Sequence, residues 1–101
     1  MASDEAILTI SVAASLLSLH PRTLMLYERA MLIVPYRTTT NRRMFSKKDL
    51  DHLQFVKFLT QEQGVNLRGV KIFLDATKVA IQANLDLKVA LFPNFKPQTL
   101  V

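Results

Sequence analysis

The sequence predicts a mostly α-helical domain of the winged helix-turn-helix class: two short helices, a small two-stranded wing, two further helices and a short C-terminal dimerisation helix. Three observations carry this. Two amphipathic stretches, one starting at Ser11 and one at Pro21, are separated by a turn of about three residues, the spacing of a helix-turn-helix. Strand-forming residues flank Thr38-Thr39-Thr40-Asn41, as in a hairpin. Two longer apolar-periodic segments then follow, the first behind Ser46-Lys47-Lys48-Asp49 and the second behind Asn66.

In chain order, residues 1–6 read as a loose tail and Ile7–Ile10 as a short strand. Ser11 is a fair N-cap for a helix running to about Ser18, with Val12, Leu16 and Leu19 as its buried face. The next helix opens at Pro21, whose missing N–H costs nothing at a first helical position. Leu24, Tyr27 and Met31 fall on one side of it, while Arg22, Leu26 and Arg29 fall on the other. Arg22 and Thr23 lie in the first turn, where side chains reach base edges when such a helix enters a major groove.

The wing is expected at Val34–Arg37 and Arg42–Phe45, with Arg37, Arg42 and Arg43 and the threonine hydroxyls suited to phosphate oxygens. From about Lys47 a helix carries Leu50, Leu53, Phe55, Val56, Phe58 and Leu59, the largest share of the core, and ends at Gly64. Asn66 caps the following helix, with Leu67, Val70, Phe73 and Leu74 buried. Gly69 within it points to a close neighbouring element, since a helical glycine costs about 1 kcal/mol relative to alanine. Ile81, Leu85, Val89 and Phe92 recur at helical spacing as a seam that a small core cannot cover, which predicts a dimer interface with a second copy. A competing reading makes Leu87–Phe92 a strand. Residues 1–75 are thus expected to form the DNA-binding domain, 76–92 the dimerisation helix and 93–101 a flexible tail.

Composition narrows the function. The net charge of +5 is concentrated in residues 20–57, where eight basic residues face three acidic ones, the footprint of a polyanionic partner. Cysteine is absent, which removes disulfides, thiolate metal sites and iron–sulfur clusters. The apolar run Ile7–Leu19 is too short and too rich in Ser and Thr to span a bilayer. A cytoplasmic, nucleoid-associated protein is expected, with no membrane partner. His20 and His52 have no matched carboxylates and there is no Gly-rich phosphate loop, so no catalytic residue, metal site or cofactor is expected and the chain is read as a binding protein, not an enzyme.

Several phrases of the sequence resemble the MerR family of winged-helix transcription regulators. They are Leu8-Thr9-Ile10-Ser11-Val12-Ala13, His20-Pro21-Arg22-Thr23-Leu24, Leu26-Tyr27-Glu28-Arg29, Arg42-Arg43-Met44-Phe45-Ser46 and Gly64-Val65-Asn66-Leu67-Arg68-Gly69-Val70. The His-Pro opening, Leu59-Thr60-Gln61-Glu62 and Gly64-Val65-Asn66-Leu67 are most similar to the HspR-like heat-shock repressor branch, while nitrogen regulators share the Asn41–Ser46 pattern. The resemblance implies a homodimeric repressor on an inverted repeat in double-stranded DNA at chaperone genes, in some relatives with an Hsp70-type chaperone as co-repressor. Carried over by position, it implies base reading by Arg22 and Thr23, a backbone contact by Tyr27 and phosphate contacts by Arg37 and Arg43. Met25 departs from the family by standing where an arginine is usual, and Met31 stands where a glycine ends the recognition helix. Two alternatives stay open: a regulator of another regulon, nitrogen-regulator-like, or an architectural or protein-interaction module of helix-turn-helix ancestry, which Met25, Met31 and the apolar tail favour.

Overall fold

The computed structural model describes residues 4–101. Its elements run β1 (Leu8–Thr9), α1 (Ile10–Leu16), α2 (Pro21–Arg29), β2 (Tyr36–Arg37), β3 (Arg43–Phe45), α3 (Lys47–Lys57), α4 (Leu67–Gln82) and α5 (Leu87–Leu91), with a π-helical turn, Phe58–Glu62, continuing α3. This is the mostly helical, winged helix-turn-helix architecture expected.

The wing hairpin gains a third strand. β3 lies between β1 and β2 in an antiparallel sheet, pairing Leu8 with Phe45 and Thr9 with Met44 on one side and Tyr36 with Met44 and Arg37 with Arg43 on the other. A two-stranded hairpin is marginal alone, and the pairing with β1 ties it to the start of α1. Between β2 and β3, Asn41 takes φ 64° after a Thr38 to Arg42 backbone bond, the left-handed position of a short hairpin loop. The α1 cap differs from expectation. Thr9, not Ser11, accepts from the Val12 N–H at 3.3 Å, because β1 passes directly into the helix. The buried face of α1 is accordingly Ala13, Ala14 and Leu17, while Val12 is exposed.

At the end of α2 the Met31 N–H reaches the Glu28 carbonyl and the Leu32 N–H the Tyr27 carbonyl, both at 2.9 Å. This is a Schellman closure, and Met31 supplies its left-handed residue at φ 63°. Met31 is therefore outside the helix and exposed, not part of its buried stripe. The position that favours glycine is kept even though its side chain is not glycine.

The core is centred on α3, where Leu50, Leu53, Phe55 and Val56 are buried, with Leu59 from the π turn and Leu24, Tyr27, Phe45, Val70 and Leu74 packed around them. Ser46 and Asp49 form the expected capping box. A Cβ on Gly69 would lie 2.8 Å from Val65 Cγ1 and 3.3 Å from Asn66 Oδ1. The close neighbour is thus the helix's own N-terminal cap, not another element.

The C-terminal region departs most from the sequence reading. α4 runs unbroken through residues 75 and 76 and stops at Gln82, where Asn84 at φ 61° closes another Schellman end. Asp86 then caps a separate α5 through the Lys88 and Val89 N–H groups. The expected single helix over 76–92 is replaced by two, so Ile81, Leu85, Val89 and Phe92 do not form one seam. Phe92 instead turns inward: it meets Phe55, Phe58 and Phe73, and Phe95 meets Phe55 and Phe58, with centroids 4.9–6.0 Å apart. Within residues 93–101, expected as a flexible tail, Phe95 and Leu100 pack against the core. The Gln54 side chain donates to the Gln98 carbonyl and accepts from its N–H, at 2.9 and 2.7 Å.

Candidate nucleic-acid interface

α2 divides its residues cleanly between core and surface. Leu24 and Tyr27 are 1% and 3% exposed, whereas Arg22, Met25, Leu26 and Arg29 are exposed. His20 is the N-cap, its Nδ1 accepting from the Arg22 N–H at 3.0 Å. With Pro21 at the first helical position, this fixes where the helix starts and how the Arg22 side chain leaves it. Thr23 follows half-buried.

Tyr27 faces inward. The family resemblance implies a DNA-backbone contact, but the ring is in the core and its hydroxyl lies 3.1 Å from Thr60 Oγ1. Thr60 Oγ1 also donates to the Lys57 carbonyl, so Tyr27 donates and Thr60 accepts. The phenol thereby pins α2 to the π turn after α3. Lys57, part of the basic excess in the sequence, serves the scaffold too: its Nζ donates to the Leu17 carbonyl at 2.7 Å, at the C-terminus of α1.

The wing is fastened to α2 by a residue that sequence reasoning passed over. Glu28 Oε2 accepts from Arg37 Nη2 at 2.9 Å and Glu28 Oε1 from Arg43 Nε at 2.7 Å. Arg37 also donates to the Asn41 carbonyl at 3.1 Å, reaching the hairpin tip. One carboxylate therefore links α2 to both wing strands. Burial opposes ionisation of Glu28, but the bonds and charges of Arg43 and Arg37 outweigh it and hold the carboxyl below its ordinary range. The clue was available: Glu28 is the one acidic residue between Glu5 and Asp49. Arg37 and Arg43, expected to meet phosphate, are thus paired within the chain. Arg42 is exposed, and neither it, Arg22 nor Arg29 enters an ion pair among the described residues.

His52 is a partly buried link. Its Nε2 lies 2.7 Å from the Leu32 carbonyl, which can only accept, so Nε2 carries the proton. Burial lowers its pKa, and the bond to Leu32, which acts the other way, does not offset this. The contact ties α3 to the segment that follows α2.

Of the expected dimer residues, Ile81, Leu85 and Val89 are exposed and Phe92 is half-buried in the aromatic cluster. Among the described residues no group of three or more His, Asp or Glu is placed to hold a metal ion, and no helix is long and apolar enough to cross a membrane.

Comparison with known proteins agrees with this geometry. The sequence profile of the MerR HTH family regulatory proteins matches residues 8–77, from β1 through most of α4. A Streptomyces coelicolor protein described as a heat shock protein, HspR, is 40% identical over 75 residues, covering 74% of this chain and 50% of its own. The HTH-type transcriptional regulator GlnR of Bacillus anthracis and that of Bacillus cereus are each 40% identical over 62 residues, covering 61% of this chain and 47% of theirs. The chain spans about half the length of these relatives.

Proposed function

The chain belongs to the MerR HTH family of regulatory proteins, and from that premise we propose that it is a transcriptional repressor that binds an inverted-repeat operator as a homodimer, with heat-shock or chaperone genes as its targets. The observation that carries the reading is the outward face of α2, where two unpaired arginines stand on a helix whose start, back and wing are all fixed by named contacts. In this reading Arg22 and Thr23 discriminate bases, at about 1–3 kcal/mol per good bidentate contact. Arg29 and Arg42 hold phosphates, and Arg37 and Arg43 approach the backbone as a pair of which Glu28 neutralises one charge.

Dimerisation is supported by exposed apolar side chains where α4 ends and α5 begins. Ile81, Leu85 and Val89 remain 56%, 49% and 62% exposed. A second copy covering them gives the protein a two-fold axis, and a two-fold site follows, with half-sites about one helical turn or a multiple apart. Repression is by occlusion of a promoter in the cytoplasmic nucleoid, and an Hsp70-type chaperone acts as co-repressor. The heat-shock assignment is supported by the similarity to the Streptomyces coelicolor protein. The GlnR relatives favour a second reading in which the same machinery serves a nitrogen regulon.

Fluorescence anisotropy tests this, with labelled inverted repeats from a chaperone promoter and from a nitrogen-gene promoter, each against excess random duplex in about 150 mM salt, where non-specific binding is weak. A competitor-resistant complex of two chains on the chaperone duplex is the expected result. Resistance only on the nitrogen-gene duplex moves the assignment to the second reading. Equal loss of all complexes to competitor overturns sequence-specific repression.

A further inference from the structure

The exposed stripe of α2 is not uniformly polar. Arg22, Met25, Leu26 and Arg29 follow one another at i, i+3, i+4 and i+7 and so share one face. Met25 is 36% and Leu26 42% exposed, and the core side of the helix is already supplied by Leu24 and Tyr27. Two apolar side chains thus stand between two unpaired guanidinium groups, on the surface that the proposed reading places against DNA. Phosphate contacts gain nothing from apolar atoms at that place. The one apolar group that a base edge offers in the major groove is the 5-methyl of thymine.

Resting on the DNA-binding reading above, we propose that Met25 and Leu26 are specificity-determining residues that pack on thymine methyl groups at the centre of each half-site. Arg22 and Arg29 flank them. Seven residues of helix rise about 10.5 Å, so the four side chains address at most about three base steps. Each half-site accordingly holds one or two adjacent A·T pairs whose thymine methyls face α2, bordered by the Arg22 contact on one side and the Arg29 contact on the other. Met25, which replaces the long cation expected at its position, narrows the choice of base where an arginine would have bound any backbone.

The test begins with selection of preferred duplexes from a randomised library by the full chain. Uracil is then substituted for thymine, one position at a time, in the selected duplex. Uracil keeps the pairing and the O4 acceptor and lacks only the methyl. At fixed salt, each contacted methyl is expected to cost about four-fold in affinity when removed. Met25→Ala and Leu26→Ala, both at exposed positions that leave the core intact, should each abolish the uracil effect at one thymine and leave the rest. A selected motif whose every thymine tolerates uracil overturns the inference and leaves the DNA-binding reading standing. A library that yields no motif overturns that reading and the inference with it. A motif and uracil sensitivity that persist unchanged in both variants also overturn the inference, and assign the methyl contacts elsewhere.

Discussion

Glu28→Gln should loosen the wing from α2 without disturbing the core. The three side chains of the bracket are 23–36% exposed, so their contacts are partly screened. Exposed ion pairs contribute about 0–1 kcal/mol and charged hydrogen bonds in drier places about 1.5–3, which puts each of these two contacts near 1 kcal/mol. Glutamine keeps one acceptor oxygen and can hold Arg43 or Arg37 but not both, so the expected loss is about 1 kcal/mol. Glu28→Ala should lose about 2. For a domain of this size 1 kcal/mol corresponds to roughly 4–8 °C in Tm, well within the resolution of a thermal melt followed by circular dichroism. The pH dependence gives a second signature. Because the folded carboxyl titrates below its unfolded value, its stabilisation is fully present above the ordinary carboxylate range and is lost as pH falls through the folded value. The gap between wild type and Glu28→Gln should therefore be constant from pH 7 to about 5 and close at lower pH. A variant that melts within about 1 °C of wild type at pH 7 would refute the bracket.

His52 predicts a second and separate pH effect. Its folded pKa lies below the unfolded value of about 6.5, so its contribution is complete above that pH and declines as the pH falls toward the folded value. Urea midpoints should drop on acidification from about pH 7.5 to 5.5, and His52→Gln, which keeps an N–H for Leu32, should flatten the drop. Gly69→Ala should destabilise by about 1 kcal/mol in denaturant melts despite the better helix propensity of alanine, since the new methyl meets the stiff Val65 side chain and crowds the Asn66 cap. Phe95→Ala should release the C-terminal segment: removing a half-buried ring costs about 2 kcal/mol, and carboxypeptidase should trim residues 93–101 faster than in wild type. Equal trimming would show that the aromatic cluster does not hold the segment.

Much of this architecture was legible because local signals and global packing agree. Pro21, the Ser46 to Asp49 capping box and Asn66 each mark a helix start through a named hydrogen bond or a fixed φ, and all three mark it correctly. The failures share a physical cause. Periodicity reports which residues are apolar, not which partner covers them. Ile81, Leu85, Val89 and Phe92 have helical spacing, yet Asn84 adopts a left-handed φ and Asp86 offers a fresh cap, so the chain breaks and carries Phe92 back to Phe55. Neither residue is Gly or Pro, and the break left little trace in the sequence. Tyr27 was legible as a core residue from its spacing. The interface was hardest to read, since a count of cations does not say which are already neutralised.

That distinction sets the salt dependence. On the proposed reading, in which a dimer binds and Arg22 is assigned to bases, counting the other arginines of α2 and the wing gives Arg29, Arg37, Arg42 and Arg43 in each subunit, or about eight phosphates and a slope of log K against log salt near −7. The structure points to a smaller number. Arg37 and Arg43 share Glu28, so the three together carry one net positive charge, and each subunit offers about three charges rather than four. The expected slope for wild type is near −5. Glu28→Gln returns one charge per subunit and should steepen it toward −7, while its looser wing lowers the ratio of operator to random-duplex affinity. Arg42→Ala, which removes an unpaired cation, should flatten the slope by about 2 for the dimer on both duplexes alike. The two variants thus move the slope in opposite directions although each removes one charged side chain. Equal slopes in wild type and Glu28→Gln would mean that Arg37 and Arg43 abandon Glu28 on binding, and the bracket would then be a feature of the free protein alone.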